Sequence, residues 1–259
     1  MEIQEYFSKY TDPPKHLVYH KDTAKHLCYI CELSYLTDKQ NLVLDILRNY
    51  NKTDIKFFDV EGTEALMIKS SGIIIIAFRG TDETKDIFTD INLIPVGGEK
   101  QGLVHLGFKR ALDKIWKSVE THLDLLYTEG DTIYITGHSL GGALATVAAA
   151  RSKYVCEVYT FGQPRVGNRK YRKNVKSKIY RHVCGADIVP SVPFGLLYSH
   201  MGDTYHVDTK KEICYKVNST FTFTLKRWKA RLSSLFSRKP LSKLVIDHRL
   251  PTYRKYIWG

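Results

Sequence analysis

Apolar positions along the chain switch between two periods. Residues 22–36 (DTAKHLCYICELSYL) carry them at near-helical spacing behind Asp22, a residue type that caps helix N-termini, which predicts a helix. Residues 56–60, 64–69 and 72–78 read as successive strands joined by glycine-containing turns. The third, GIIIIAF, is apolar at every position, as a strand covered on both faces should be. Between residues 107 and 127 the period returns to that of a helix, with Phe108, Leu112, Ile115, Val119, Leu123 and Leu126 on one stripe. A strand at 132–136, a helix of small residues at 140–151, and strands at 155–161 and 179–184 complete the pattern. Strands alternating with helices predict an α/β protein with a mainly parallel central sheet flanked by helices. No linker-like stretch or internal repeat divides residues 1–259, so a single domain is expected.

The chemistry concentrates where strand 132–136 meets helix 140–151, at TGHSLGG. Gly137, Ser139 and Gly141 match the G-x-S-x-G nucleophile elbow, in which a serine sits on a sharp strand-to-helix turn. Glycines before and after Ser139 give that turn room, and the following helix N-terminus aims free N–H groups at developing negative charge. A serine hydroxyl becomes nucleophilic only when a base takes its proton, and the base needs a carboxylate to hold its tautomer. With the elbow, the partners follow in the order acid, then histidine. Asp187 is the preferred acid because it directly follows a strand, and Asp203 and Asp208 are rivals further on. His182, His200, His206 and His248 remain as bases, with His248 last and near the C-terminus. His138, beside the serine, is assigned to packing because adjacent side chains in a tight turn point apart. The loop Arg79-Gly80-Thr81-Asp82 ends the apolar third strand, where an open α/β sheet places its site. The segment after it, 83–95, mixes charges with Ile87, Phe88, Ile91, Leu93 and Ile94, as a helix packed on the core or one covering a pocket would.

These stretches together resemble the fungal-type class 3 lipases of the α/β-hydrolase superfamily. Phe78-Arg79-Gly80-Thr81, Val104-His105-Leu106-Gly107-Phe108, the elbow GHSLGG, FGQPRVGN at 161–168, GADIVPSVP at 185–193, Tyr198-Ser199-His200-Met201-Gly202 and Asp247-His248 carry the resemblance, in the family's order. The resemblance implies Ser139 as nucleophile, Asp187 as orienting acid and His248 as general base. It further implies an oxyanion hole from the N–H groups of Thr81 and Leu140, a lid at 83–95, structural roles for His105 and His200, and no metal or organic cofactor. The implied activity is that of a serine carboxylic-ester hydrolase, a lipase acting on acylglycerols through an acyl-enzyme. Phospholipase A1 chemistry would use the same triad. A lipase-like binding protein without turnover is the alternative from another class, opposed by the apparent triad and oxyanion threonine.

Charge adds a surface to this picture. The formal net charge is +12, and no acid occurs between Glu157 and Asp187 or between Glu212 and Asp247. Such an excess favours an anionic partner. Residues 225–243 place Leu225, Trp228, Leu232, Leu235 and Phe236 on one helical face with Lys226, Arg227, Lys229, Arg231, Arg238 and Lys239 around them. That pattern suits a helix in the interface of an anionic membrane or lipid droplet, or an amphipathic helix packed on the domain with a solvated basic face. No nucleic-acid-binding signature accompanies the basic runs. Cys28, Cys31, Cys156, Cys184 and Cys214 cannot all pair, and residues 1–10 are charged and polar rather than signal-like. Reduced core cysteines and a cytoplasmic or peripheral membrane location are the resulting expectations.

Overall fold

The apolar run Ile73–Phe78 forms a strand inside an eight-stranded sheet, with all six residues buried. The computed structural model describes residues 2–10, 14–15, 18–51, 54–81, 94–99, 101–193, 195, 197–208, 213–217 and 246–257. Its strands are β1 (Asp54–Val60), β2 (Thr63–Ser70), β3 (Ile73–Phe78), β4 (Pro95–Gly97), β5 (Leu103–His105), β6 (Thr132–His138), β7 (Glu157–Phe161), β8 (Lys178–Cys184), β9 (Asp203–Asp208) and β10 (Ile213–Lys216). Strands β4 and β5 pair apart from the rest, and the main sheet has the order β1-β2-β3-β6-β7-β8-β9-β10. From β3 to β9 every pairing is parallel, while antiparallel pairing is confined to the two margins.

The helices are α1 (Ile3–Lys9), α2 (Lys21–Leu33), α3 (Gln40–Ile46), α4 (Leu106–Leu126), α5 (Leu140–Arg151), α6 (Arg169–Asn174) and α7 (Leu250–Tyr256). They divide between the sheet faces, and β3 shows why its sequence is apolar throughout. Ile73, Ile75 and Ala77 join one core cluster with Leu27 and Ile30 of α2 and Tyr253 of α7. Ile74, Ile76 and Phe78 join the other, with Leu112, Ile115 and Val119 of α4 and Leu144 and Val147 of α5. Successive strand side chains point to opposite faces, so a strand with helices on both sides has no polar position. Burying each of these isoleucines contributes about 1.5–3 kcal/mol.

The predicted helix at 22–36 stops at Leu33, and Ser34–Lys39 winds on as a 3-10 helix. Asp22 does not cap it: the cap is His20, whose Nδ1 accepts the Asp22 N–H at 3.2 Å, leaving Asp22 in the first turn. The elements absent from the sequence-based expectation are α1, α3, α6, α7, the β4–β5 pair, β9 and β10. These helices are at most seven residues long, too short for a helical period to repeat twice.

The five cysteines, all among the described residues, form no disulfide. Cys28 and Cys31 lie buried on α2, where burial raises both thiols, that of Cys31 to about 12, so neither forms a reactive thiolate. Among the described residues no helix is long and apolar enough to cross a membrane. The expected lid at 83–95 lies outside the described residues except for its last two positions, and the basic stretch 225–243 lies outside them entirely.

Helix α5 crosses the sheet so closely that a Cβ on Gly141 would stand 2.1 Å from the Phe78 carbonyl oxygen of β3. Backbone atoms on both sides leave no room to yield. Gly141→Ala is therefore expected to lower the unfolding free energy by about 1–3 kcal/mol, measured by thermal or urea unfolding. The exposed α4 substitution Lys117→Ala should stay within about 0.5 kcal/mol of the parent.

Candidate active site

Ser139 occupies the one-residue turn between β6 and α5, with φ 56° and ψ −124°. A non-glycine side chain in such a backbone region costs about 1–3 kcal/mol, so the surroundings must impose it. They do so through the Ser139 N–H, which donates to the Phe161 carbonyl of β7 at 2.9 Å, and the Ser139 carbonyl, which accepts from Gly142 N–H at 3.1 Å. Tight packing of Gly137 against Gly141 closes the turn: a Cβ on Gly137 would lie 2.2 Å from the Gly141 carbonyl.

The ends of the neighbouring parallel strands deliver the other two groups. Asp187 follows β8 by three residues and is fully buried. Its Oδ2 accepts a hydrogen bond from His248 Nδ1 at 2.9 Å. With the Nδ1 proton directed at the carboxylate, the lone pair of His248 sits on Nε2. That Nε2 and Ser139 Oγ are both buried and have no hydrogen-bond partner among the described residues. His138 brings the serine turn and the base together: its Nε2 lies 2.6 Å from the His248 carbonyl oxygen, with the rings 4.6 Å apart.

Four further residues hold this arrangement, and sequence reasoning assigned none of them. Tyr253, five residues past His248 on α7, donates its hydroxyl to Asp187 Oδ2 at 2.6 Å and accepts the Cys184 N–H at 3.0 Å. Burial and the adjacent Asp187 charge push the phenol well above its ordinary value, so it stays a donor. Val189 N–H donates to Asp187 Oδ1 at 2.9 Å. Asp247 Oδ2 accepts the Ala186 N–H at 2.7 Å, tying the acid loop to the base loop. Gly162, at φ 63°, leaves the space for the base, since a Cβ there would come within 2.8 Å of the His248 ring. Gly162, Val189 and Asp247 stand in stretches that carry the resemblance, FGQPRVGN, GADIVPSVP and Asp247-His248, whereas Tyr253 had no signal in the sequence. His138, expected merely to pack, carries hydrogen bonds from both ring nitrogens.

The rival residues are engaged elsewhere. Asp203 lies in β9 and pairs with Lys216 at 2.6 Å, and Asp208 ends the same strand. His182 bonds the Thr160 carbonyl and the Tyr19 hydroxyl, and burial lowers it to about 3. His200 Nδ1 meets the Arg181 guanidinium, and His206 Nδ1 lies 3.1 Å from the Val183 carbonyl. His105 caps α4 by accepting the Gly107 N–H at 3.1 Å.

Leu140 opens α5, so its N–H belongs to the positive end of the helix. Thr81 is exposed, just past the end of β3. The residues leading from β3 to Thr81 pack on the elbow, because a Cβ on Gly80 would stand 2.6 Å from the His138 carbonyl oxygen.

A strained serine elbow, then a carboxylate after a later strand, then a histidine later in the chain, all at the same edge of a mainly parallel sheet, are the arrangement of the α/β-hydrolase fold. Residues 75–196 match the family model described as lipase (class 3). Over 151 residues it is 33% identical to the secreted mono- and diacylglycerol lipase 1 of Fusarium solani, an alignment covering 52% of this chain and 44% of the relative. Over 207 residues it is 29% identical to the triacylglycerol lipase OBL1 of Arabidopsis thaliana, covering 56% and 40%. The chain thus spans less than half the length of these curated relatives. A solved Rhizomucor miehei lipase in complex with its propeptide superposes with a TM-score of 0.66 at 23% identity, over 78% of this chain and 72% of that one, and so shares the fold.

Removing the Tyr253 hydroxyl leaves a buried carboxylate oxygen short of one donor. Tyr253→Phe is expected to destabilise the protein by about 1.5–3 kcal/mol in urea unfolding, the range for hydrogen bonds to charged groups. The exposed Tyr10→Phe should change little.

Proposed function

We propose that this protein is a serine carboxylic-ester hydrolase that cleaves acylglycerols. The observation that carries the reading is the Asp187–His248 hydrogen bond, which leaves a free Nε2 lone pair in the same buried site as the unpartnered Ser139 hydroxyl. In this reading Ser139 Oγ attacks the ester carbonyl while His248 Nε2 takes its proton. The imidazolium is stabilised by Asp187 and returns the proton to the departing glyceryl oxygen. Water, activated by the same nitrogen, then cleaves the acyl-enzyme and releases the fatty acid. The N–H groups of Thr81 and Leu140 are the proposed oxyanion donors in both steps, each contributing about 3 kcal/mol. The names of the relatives, which act on mono-, di- and triacylglycerols, support acylglycerol as the substrate class. Ser139, Asp187 and His248 are buried, at 1%, 0% and 2% exposure.

Purified protein should release fatty acid from emulsified triacylglycerol or diacylglycerol. Ser139→Ala should release none above background, and Asp187→Asn should lower kcat on the order of 10⁴-fold through the wrong histidine tautomer. Full release by Ser139→Ala would overturn the reading.

We further propose that the protein meets its substrate at an anionic lipid surface. Arg169, Lys170, Arg172 and Lys173 are exposed on α6 opposite the buried Tyr171, in a stretch with no acid from 158 to 186. Charge of this density near a surface attracts anionic headgroups. Replacing the four by Gln should weaken co-sedimentation with phosphatidylglycerol vesicles. Replacing Arg48, Lys56, Lys114 and Lys117, an equal charge loss elsewhere, should weaken it less. Fatty-acid release from those vesicles exceeding that from the emulsion would assign phospholipase A1 activity instead.

A further inference from the structure

The N-terminal third precedes the family-matched segment, yet one of its side chains reaches the site. Tyr35 lies in the 3-10 helix Ser34–Lys39. Its hydroxyl stands 2.8 Å from His138 Nδ1, and the Arg79 guanidinium lies over its ring at 5.8 Å. It also abuts the oxyanion loop, because a Cβ on Gly80 would fall 2.3 Å from its hydroxyl oxygen.

The protons on this chain can be assigned. His138 Nε2 faces the His248 carbonyl oxygen, which only accepts, so Nε2 carries the hydrogen. Nδ1 is then bare and accepts the Tyr35 O–H. Burial and the neighbouring His248 lower His138 to about 3, so the ring remains neutral and this tautomer persists across the working pH range. Arg79 is fixed in turn: its Nη1 pairs with Glu64 Oε1 at 2.6 Å, its N–H donates to the Glu64 carbonyl at 3.0 Å, and Thr37 donates to the second Glu64 oxygen. A continuous chain of contacts therefore runs from Glu64 through Arg79 and Tyr35 to His138 and the backbone of His248.

We propose that Tyr35 is a positioning residue that sets the geometry of the general base and the oxyanion loop together, acting through His138 and the Arg79-Gly80 backbone. One ring touches both parts of the site that must stay in register with Ser139. The His248 carbonyl sets the His138 tautomer, and the hydroxyl, by donating to Nδ1, orients the ring whose Nε2–H holds the His248 main chain. A shift in that main chain would move Nε2 relative to Ser139 Oγ, and small misplacements of a base cost rate without changing ground-state binding.

This inference rests on the ester-hydrolase reading. The test is kinetics on a soluble short-chain glyceryl ester, with kcat normalised to the sites labelled by a fluorophosphonate probe. Tyr35→Phe keeps the ring over Arg79 and loses only the hydroxyl. It should lower kcat about tenfold, slow probe labelling in parallel and leave KM within about twofold. In a His138→Phe background, where the acceptor is gone, adding Tyr35→Phe should cost no further kcat. A merely structural Tyr35 would lower the melting temperature while leaving kcat per labelled site at the parent value, and that result overturns the proposal. Multiplicative losses in the double variant overturn it as well. Should His138→Phe not fold, the split between kcat, KM and melting temperature in Tyr35→Phe alone decides. If the parent neither turns over esters nor takes the probe at Ser139, the ester-hydrolase reading itself has failed.

Discussion

A carboxylate with no solvent exposure is the constraint around which this site is built. An isolated buried charge is costly, and Asp187 is tolerated because three donors converge on it: the Val189 N–H, the Tyr253 hydroxyl and the His248 ring. Each donor dictates something else. The Val189 amide fixes the loop after β8, the Tyr253 hydroxyl fixes α7 against the end of that strand, and the Nδ1–H bond fixes which nitrogen of His248 is basic. The His248 ring is thus oriented by the same interactions that make the burial of Asp187 possible. A neutral residue at 187 would relax all of them.

The serine side of the site obeys a different constraint, that of steric closeness. The strained Ser139 backbone persists because α5 and β6 pack through glycine, with Gly137 against Gly141 and Gly141 against the Phe78 carbonyl. That packing is possible because α5 presents small residues to the sheet, and it is worth keeping because both sheet faces are covered by core. Hydrophobic burial supplies the rigidity, and the strain is localised on one residue whose hydroxyl must stand clear of the turn. Ser139 is held by backbone geometry and His248 by side-chain hydrogen bonds.

This difference explains what was legible in the sequence. The elbow is local: strand, turn and helix lie within twenty residues, so period and glycine placement reveal it. The sheet's parallel character followed from the alternation of periods, and α4 from a stripe repeated over five turns. Asp187 could be preferred over Asp203 and Asp208 only by its place after a strand, and the structure places the rivals in a strand near the far margin of the sheet. Tyr253 was invisible because its partner is 66 residues away and nothing in HRLPTY distinguishes a donor tyrosine from a packed one. His138 was misjudged for a related reason. Neighbouring side chains do point apart at a tight turn, but the partners that give its ring a role lie 103 and 110 residues away. His20 replaced Asp22 as a cap because an imidazole nitrogen, placed by an extended backbone, served as the acceptor.

These supports are spread along the chain. The matched segment, 75–196, contains Thr81, Ser139, Leu140 and Asp187, but neither His248 nor Tyr253 nor Tyr35. Ser139 and Asp187 come with the central parallel strands, where register and glycine packing leave few alternatives. His248 arrives from a later loop, and its contacts reach elements distant in sequence: Asp187, which also binds Tyr253 of α7, on one side, and His138, which binds Tyr35 of the 3-10 helix after α2, on the other. Since α2 and α7 pack in the same core cluster, on the same sheet face, the terminal elements stabilise each other as they grip the base.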